Sequence, residues 1–103
     1  MARPFSEGFL RELNSVTEHT IGTELAKLCV TANIPATHVA MALGTTRLTV
    51  YGWFRGKDIR KANRKNIEAF IKLLEEDFSL GVLPAKSIAA SKAYISGLIG
   101  APV

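Results

Sequence analysis

The sequence predicts an all-α protein, a compact helical bundle of five to six helices with a central helix-turn-helix. Apolar residues recur at the three- and four-residue spacing of amphipathic helices through most of the chain. Glycine, proline, threonine and asparagine residues interrupt these patterns where one helix would end and the next begin. At 103 residues the chain can bury a single core, so we expect one domain with modest appendages.

Three segments follow from these patterns. Residues 1–21 are expected to form an extra helix and a linker, residues 22–83 the helix-turn-helix domain, and residues 84–103 a C-terminal helix that is a candidate dimerisation element. The first helix is predicted over residues 5–17. Its apolar stripe comprises Phe5, Phe9, Leu10, Leu13 and Val16.

A second helix is predicted from Gly22 to Asn33, with Thr23 as its capping residue. Its inner face comprises Leu25, Leu28, Cys29 and Ala32. Asn33 stops this helix, and Pro35 is suited to begin the next one. Because Cys29 is the only cysteine and lies on the inner face, we expect a small buried residue rather than a nucleophile, a disulfide partner or a metal ligand.

The stretch from Ile34 to Lys57 contains two short helix patterns joined by a glycine. Val39, Ala40 and Leu43 share one face of the first pattern, and Ala40 is small enough for a close helix crossing. Gly44 follows at once, where glycine can end a helix in the left-handed conformation without steric cost.

The second helix of this stretch is predicted from Thr46 to Arg55. Thr46 can cap it through its hydroxyl, and Gly56 closes it. Its inward stripe comprises Val50, Trp53 and Phe54. The opposite face is expected to present Arg47, Leu48, Tyr51, Gly52 and Arg55.

The motif residues of this stretch are Val39, Ala40, Leu43, Gly44, Thr45, Thr46, Val50, Trp53 and Gly56. With them the chain resembles the lambda-repressor/Cro-like (XRE-type) helix-turn-helix family of transcriptional regulators. The resemblance implies a lambda-repressor-like fold that binds double-stranded DNA. Two positions depart from the family pattern. Ala36 stands where the family often has a glutamine that contacts DNA, and Gly52 lies inside a helix at a cost of roughly 1 kcal/mol relative to alanine.

Positive charge is concentrated in and just after this motif. The formal net charge is +4, yet residues 47–65 hold seven basic residues and one acid, whereas the rest of the chain holds six basic and eight acidic residues. The basic residues of this segment are Arg47, Arg55, Lys57, Arg60, Lys61, Arg64 and Lys65. A charge run alone is usually a solvated face, but beside a helix-turn-helix it favours a nucleic-acid partner.

A basic loop leads into a long helix predicted from about Asn63 to Leu80, with Asn63 as its cap. Its buried stripe comprises Ile67, Phe70, Ile71, Leu74 and Phe78. The charges oppose the helix dipole, because Arg64 and Lys65 occupy the first turn and acidic residues the last. Either these surface charges were never optimised, or the basic start binds a phosphate, which we favour.

The last helix is predicted from Ser87 to Ile99. Its inner face comprises Ile88, Ser91, Ile95, Leu98 and Ile99. Such an apolar, weakly charged helix either covers the core or pairs with a second copy of the chain. If the protein is a dimer, this helix is the favoured interface and the N-terminal helix the alternative.

Motifs for catalysis are absent from the sequence, which lacks a Gly-rich phosphate loop and an activated nucleophile. His19 and His38 have neither the spacing nor the companions of metal ligands, and we expect His38 to be hydrogen-bonded or solvent-facing. No apolar run approaches about 18 residues. We therefore expect a cytoplasmic protein that is not an enzyme, uses no cofactor, metal or small-molecule ligand and does not enter a membrane. The resemblance implies a bacterial or phage-infected cell.

The resemblance and the charge distribution together predict a small sequence-specific transcriptional regulator. We expect a homodimeric repressor, of the kind that phages encode, on an inverted-repeat operator, with its second motif helix in the major groove. The candidate base-reading residues are Arg47, Leu48, Tyr51 and Gly52. The candidate backbone-binding residues are Thr46, Arg55, Lys57, Arg60, Lys61, Arg64 and Lys65.

Two other functions fit the same sequence. An adaptor that docks on a protein such as RNA polymerase would bind through exposed apolar residues. Candidates for that role are Phe5, Phe9, Tyr94 and Ile99. A DNA-coating protein would instead bind DNA without sequence preference, and the departures at Ala36 and Gly52 would then matter little.

Overall fold

Six α-helices carry the fold in a computed structural model that describes residues 5–15 and 19–99. They are α1 Glu7–Ser15, α2 Ile21–Ala32, α3 Ala36–Leu43, α4 Arg47–Phe54, α5 Lys61–Ser79 and α6 Ile88–Ile99. The described residues form no strand, which confirms the predicted all-α class. Among these residues there is also no helix with the length and apolar character needed to cross a membrane.

The first helix starts two residues later than predicted because Ser6 caps it. The Ser6 hydroxyl accepts a hydrogen bond from the Phe9 N–H at 3.1 Å, so α1 starts at Glu7. Phe5 and Phe9 are buried, with 4% and 7% of their surface exposed, and neither can carry the binding of a protein partner. The predicted stripe residue Val16 lies outside the described residues.

The second helix starts at Ile21 because Thr20, and not Thr23, is its cap. The Thr20 hydroxyl accepts from the Thr23 N–H at 3.1 Å, and the Thr23 hydroxyl accepts from the Thr20 N–H at 2.9 Å. The two residues form a capping box with threonine at both positions, so the local sequence does not distinguish cap from partner. At the other end Asn33 adopts a left-handed conformation with φ 60° and ends the helix as predicted.

One hydrophobic core joins all six helices, with α2 packed against both α4 and α5. Cys29 is fully buried, as predicted, and burial raises the pKa of its thiol. The helices α2 and α4 cross closely at Gly22. A Cβ atom at Gly22 would lie 2.1 Å from the backbone oxygen of Trp53, so only glycine fits there.

The last helix covers the core on the side of α3. Ile95 is fully buried, and the Ser91 hydroxyl lies 2.7 Å from Nδ1 of His38. His38 is only 7% exposed. Of the two expected states, hydrogen-bonded or solvent-facing, the structure shows the hydrogen-bonded one. The inner face of α6 is narrower than predicted, because it consists of Ser91, Ile95 and Ser96. The remaining predicted members are 37–42% exposed, namely Ile88, Leu98 and Ile99.

Candidate nucleic-acid interface

The turn between α3 and α4 has the geometry that the sequence predicted. Gly44 adopts a left-handed conformation with φ 66°. The N–H groups of Gly44 and Thr45 donate to the Ala40 carbonyl, the second of them at 3.0 Å. Thr46 then caps α4, since its hydroxyl accepts from the Thr49 N–H at 3.2 Å. The direction of α4 is therefore fixed by bonds within this short stretch.

The two faces of α4 separate as predicted, with one correction. Its buried face comprises Val50, Trp53 and Phe54. Leu48 on the opposite face is 83% exposed, and Arg47 is exposed beside it. Gly52, however, is buried and does not belong to the outer face. The chain turns back after Gly56, so the Lys57 N–H donates to the Gly52 carbonyl at 3.0 Å and the Lys57 side chain covers Gly52.

Tyr51 contacts two arginines and a phenylalanine on the exposed side of α4. The guanidinium carbons of Arg47 and Arg55 lie 5.4 and 5.8 Å from its ring centroid, within the range of cation–π attraction. The Phe9 ring of α1 meets it edge-on, with 5.4 Å between the ring centroids. Arg47 and Tyr51 lie on successive turns of α4 and Arg55 is its C-cap residue, so these contacts join the three side chains into one surface.

A groove of about 550 Å³ runs between α1 and α4 beside this surface. Its lining comprises Ser6, Phe9, Thr46, Arg47, Leu48, Tyr51 and Arg55. At the edge of this surface the Arg55 Nε donates to Glu12 Oε1 of α1 at 3.2 Å. The sequence offered no sign of this pair, because its members are 43 residues apart and nothing local indicates which helix α1 meets.

At the start of α3, position 36 contributes no polar or charged side chain to this surface. Ala36, at the position where the resembling family often has a DNA-contacting glutamine, is 1% exposed and belongs to the core. The departure noted in the sequence is therefore accompanied by a packing role for this position.

The start of α5 differs from the prediction. The helix begins at Lys61, and Asn63 is not its cap but lies inside the first turn. Arg60 is the N-cap residue and forms no side-chain capping bond; its carbonyl accepts from the N–H groups of Asn63 and Arg64 at 2.9 and 3.0 Å. The basic residues of the first turn are thus Lys61 and Arg64, with Lys65 starting the second.

All seven basic residues between positions 47 and 65 are exposed. The Arg64 Nε lies 3.5 Å from Oε1 of Glu68, one turn later in α5. Both side chains are more than half exposed, so this ion pair is weak. At the acidic end of the same helix, the Tyr94 hydroxyl of α6 donates to the Asp77 carboxylate. The position of Asp77 at the acidic end of α5 is therefore explained by its bond to Tyr94. Among the described residues, no contact with another helix explains the basic residues at the start of α5 in the same way.

No protein-family model matches the chain, and neither the curated proteins nor the solved structures contain a significant match to it.

Proposed function

We propose that the protein is a small sequence-specific DNA-binding transcriptional regulator that reads the major groove with α4. The observation that supports this best is the exposure of Arg47 and Leu48 on the first turn of a helix whose direction is set by Gly44 and Thr46. A helix presented in this way enters the major groove with its N-terminal residues nearest the bases. The resemblance to lambda-repressor/Cro-like proteins supports the same proposal.

Base reading is assigned to three side chains of α4. Arg47 can fork onto O6 and N7 of a guanine, which is the commonest specific contact of this residue type. Leu48 is 83% exposed and would contact a thymine methyl group. Tyr51 is held between two arginines and contacts either a base or a phosphate through its hydroxyl. Gly52 has no part in base reading because it is buried under Lys57.

Phosphate binding is assigned to the exposed basic residues and to Thr46. At the start of α5 the side chain of the cap residue Arg60 forms no capping bond, and Lys61 and Arg64 are exposed beside the first N–H groups. A phosphate at this position would accept hydrogen bonds from both the N–H groups and the side chains. The other residues of this kind are Arg55, Lys57, Arg60 and Lys65.

A single recognition helix contacts only a few base pairs, so we propose a homodimer on an inverted repeat. The two half-sites would lie about 34 Å apart, one turn of the duplex. Leu98 and Ile99 at the exposed end of α6 are the favoured dimer surface. Repression, a phage source and a cytoplasmic location follow from analogy with the resembling family.

The proposal is tested by selecting bound duplexes from a random DNA pool and titrating the protein with the selected duplex and with random duplex. A strong preference for the selected duplex supports a regulator. Equal affinity for both duplexes would make the protein a DNA-coating protein, and no binding to either would favour the adaptor.

Two substitutions separate the assigned roles. Arg47→Ala should lower the affinity for the selected duplex by about 1–3 kcal/mol and relax the preference at one base pair. Lys61→Ala should weaken binding to all duplexes alike and lower the slope of affinity against salt by about 1. Titrations at several salt concentrations measure both effects. If the two variants behave alike on both duplexes, the assignment of roles is wrong.

A further inference from the structure

The ion pair between α1 and α4 gives Arg55 a defined direction. The Arg55 Nε donates to Glu12 Oε1 at 3.2 Å, and the same guanidinium lies 5.8 Å from the centroid of the Tyr51 ring. The bond to Glu12 uses Nε, and within residues 5–15 and 19–99 the two terminal amino groups have no hydrogen-bond acceptor, so they are available to another one. Arg55 is therefore held by Glu12 and by the Tyr51 ring. Its two terminal amino groups, which can donate together to one anion, remain available.

Aromatic contacts, and not the ion pair, hold α1 in this position. The Phe9 ring centroid lies 5.4 Å from that of Tyr51 and 5.9 Å from that of Phe54. Glu12 follows Phe9 by three residues, so both lie on the side of α1 that faces α4. The Glu12 and Arg55 side chains are 52% and 53% exposed, and an exposed pair of this kind adds little to stability. Glu12 is thus not needed for the fold.

We propose that Glu12 is a specificity-determining residue of the DNA-binding surface and acts by positioning Arg55. The inference rests on the function proposed above and assigns a role to α1 within it. With α4 in the major groove and Arg47 at its start facing the bases, Arg55 at the other end of the same groove would meet the flanking sugar–phosphate backbone. Glu12 then stands next to DNA.

Glu12 affects the affinity for random DNA and the affinity for the preferred site unequally. On random DNA, Arg55 acts mainly as a diffuse positive charge, and the nearby carboxylate weakens its attraction to the phosphates. On the preferred site the protein is held in one register, and the oriented guanidinium donates both terminal amino groups to one phosphate. The carboxylate therefore lowers non-specific affinity and preserves specific affinity, so the ratio of the two rises.

The test measures the affinities of Glu12 variants for a duplex selected from a random pool by the wild-type protein and for a random duplex. In Glu12→Ala the affinity for random DNA should rise by about threefold while that for the selected duplex does not rise, because a repulsive charge is lost together with the orientation of Arg55. Glu12→Gln keeps an acceptor for Nε, so it should retain the affinity for the selected duplex. Glu76→Ala removes an exposed carboxylate from the far end of α5 and should leave the ratio unchanged.

A double-mutant cycle identifies Arg55 as the intermediary. In an Arg55→Ala background, Glu12→Ala should no longer change the ratio of the two affinities. Circular dichroism and thermal unfolding would confirm that each variant is folded. A rise of equal size on both duplexes, or no change on either, would overturn the inference while leaving the proposed function standing. A wild-type protein without sequence preference would overturn both.

Discussion

The helices α4 and α5 start in opposite ways, and the contrast separates structural from binding roles. At the start of α4 a backbone donor is bonded within the protein, because the Thr46 hydroxyl accepts a hydrogen bond from the Thr49 N–H. The start of α5 has Arg60 at the cap position without a side-chain bond, and exposed basic residues surround it. A capped start stabilises the helix by itself, whereas an uncapped and positive one gains most from an anion. The difference supports α4 as a rigid reading element and the start of α5 as a phosphate site.

The largest effect is expected where α4 is anchored to the core. In Gly22→Ala the new Cβ would meet the backbone oxygen of Trp53 at 2.1 Å, and backbone cannot move away cheaply. The free energy of unfolding should fall by about 3 kcal/mol, measured by urea denaturation. Gly97→Ala is the matched control, since no atom of the described part of the chain lies within 4 Å of the added Cβ, and it should stabilise the protein by up to about 1 kcal/mol. A Gly22→Ala variant of wild-type stability would contradict the close crossing.

Removing the cap of α4 should have the next largest effect. Thr46→Ala should lower the free energy of unfolding by about 1 kcal/mol, because the Thr49 N–H loses its acceptor. Thr37→Ala, at an exposed position of α3, controls for the loss of a threonine and should cause no such decrease. Thermal unfolding followed by circular dichroism compares the two variants. Equal stability losses would mean that the cap contributes nothing.

Supplying the cap that α5 lacks tests the other half of the comparison. Arg60→Ser and Arg60→Ala remove the same charge, but serine can also accept a hydrogen bond from the first turn. The serine variant should be more stable than the alanine variant by about 0.5–1 kcal/mol. It should also bind every duplex more weakly than the alanine variant, because its hydroxyl occupies N–H groups that a phosphate would use. If the two variants bind DNA equally, phosphate does not use these N–H groups.

The smallest effect is expected from acidification, which alters neither helix start. Burial, and secondly the charge of Lys92, lower the pKa of His38 below its ordinary value of 6.5. The unfolded chain therefore takes up this proton at a higher pH than the folded protein. The contribution of the neutral His38 side chain to the free energy of unfolding is complete above about pH 6.5. It is lost as the pH falls through the lowered pKa of the folded protein. Urea midpoints at about pH 7 and about pH 5 should differ less in His38→Gln than in the wild type.

Local signals predicted the motif well because its stabilising bonds are local. Gly44 ends α3 and Thr46 caps α4 through atoms no more than a few residues apart. The same reasoning misplaced the start of α5, since Asn63 is the better capping residue type but the helix extends two residues before it. Helical spacing also assigned Gly52 to the outer face, which it would occupy if Lys57 did not fold back over it.

Residue types and their spacing along the chain are enough to predict the helical class, the turn at Gly44, the buried stripe of α4 and the concentration of positive charge. Each depends on residue types at short spacing, where helical geometry leaves few alternatives. The packing of the helices against one another determined that α1 lies against α4 and that Glu12 pairs with Arg55. It also decided that His38 is buried against Ser91. These contacts join residues more than 40 positions apart, and they form only because one core brings all six helices together.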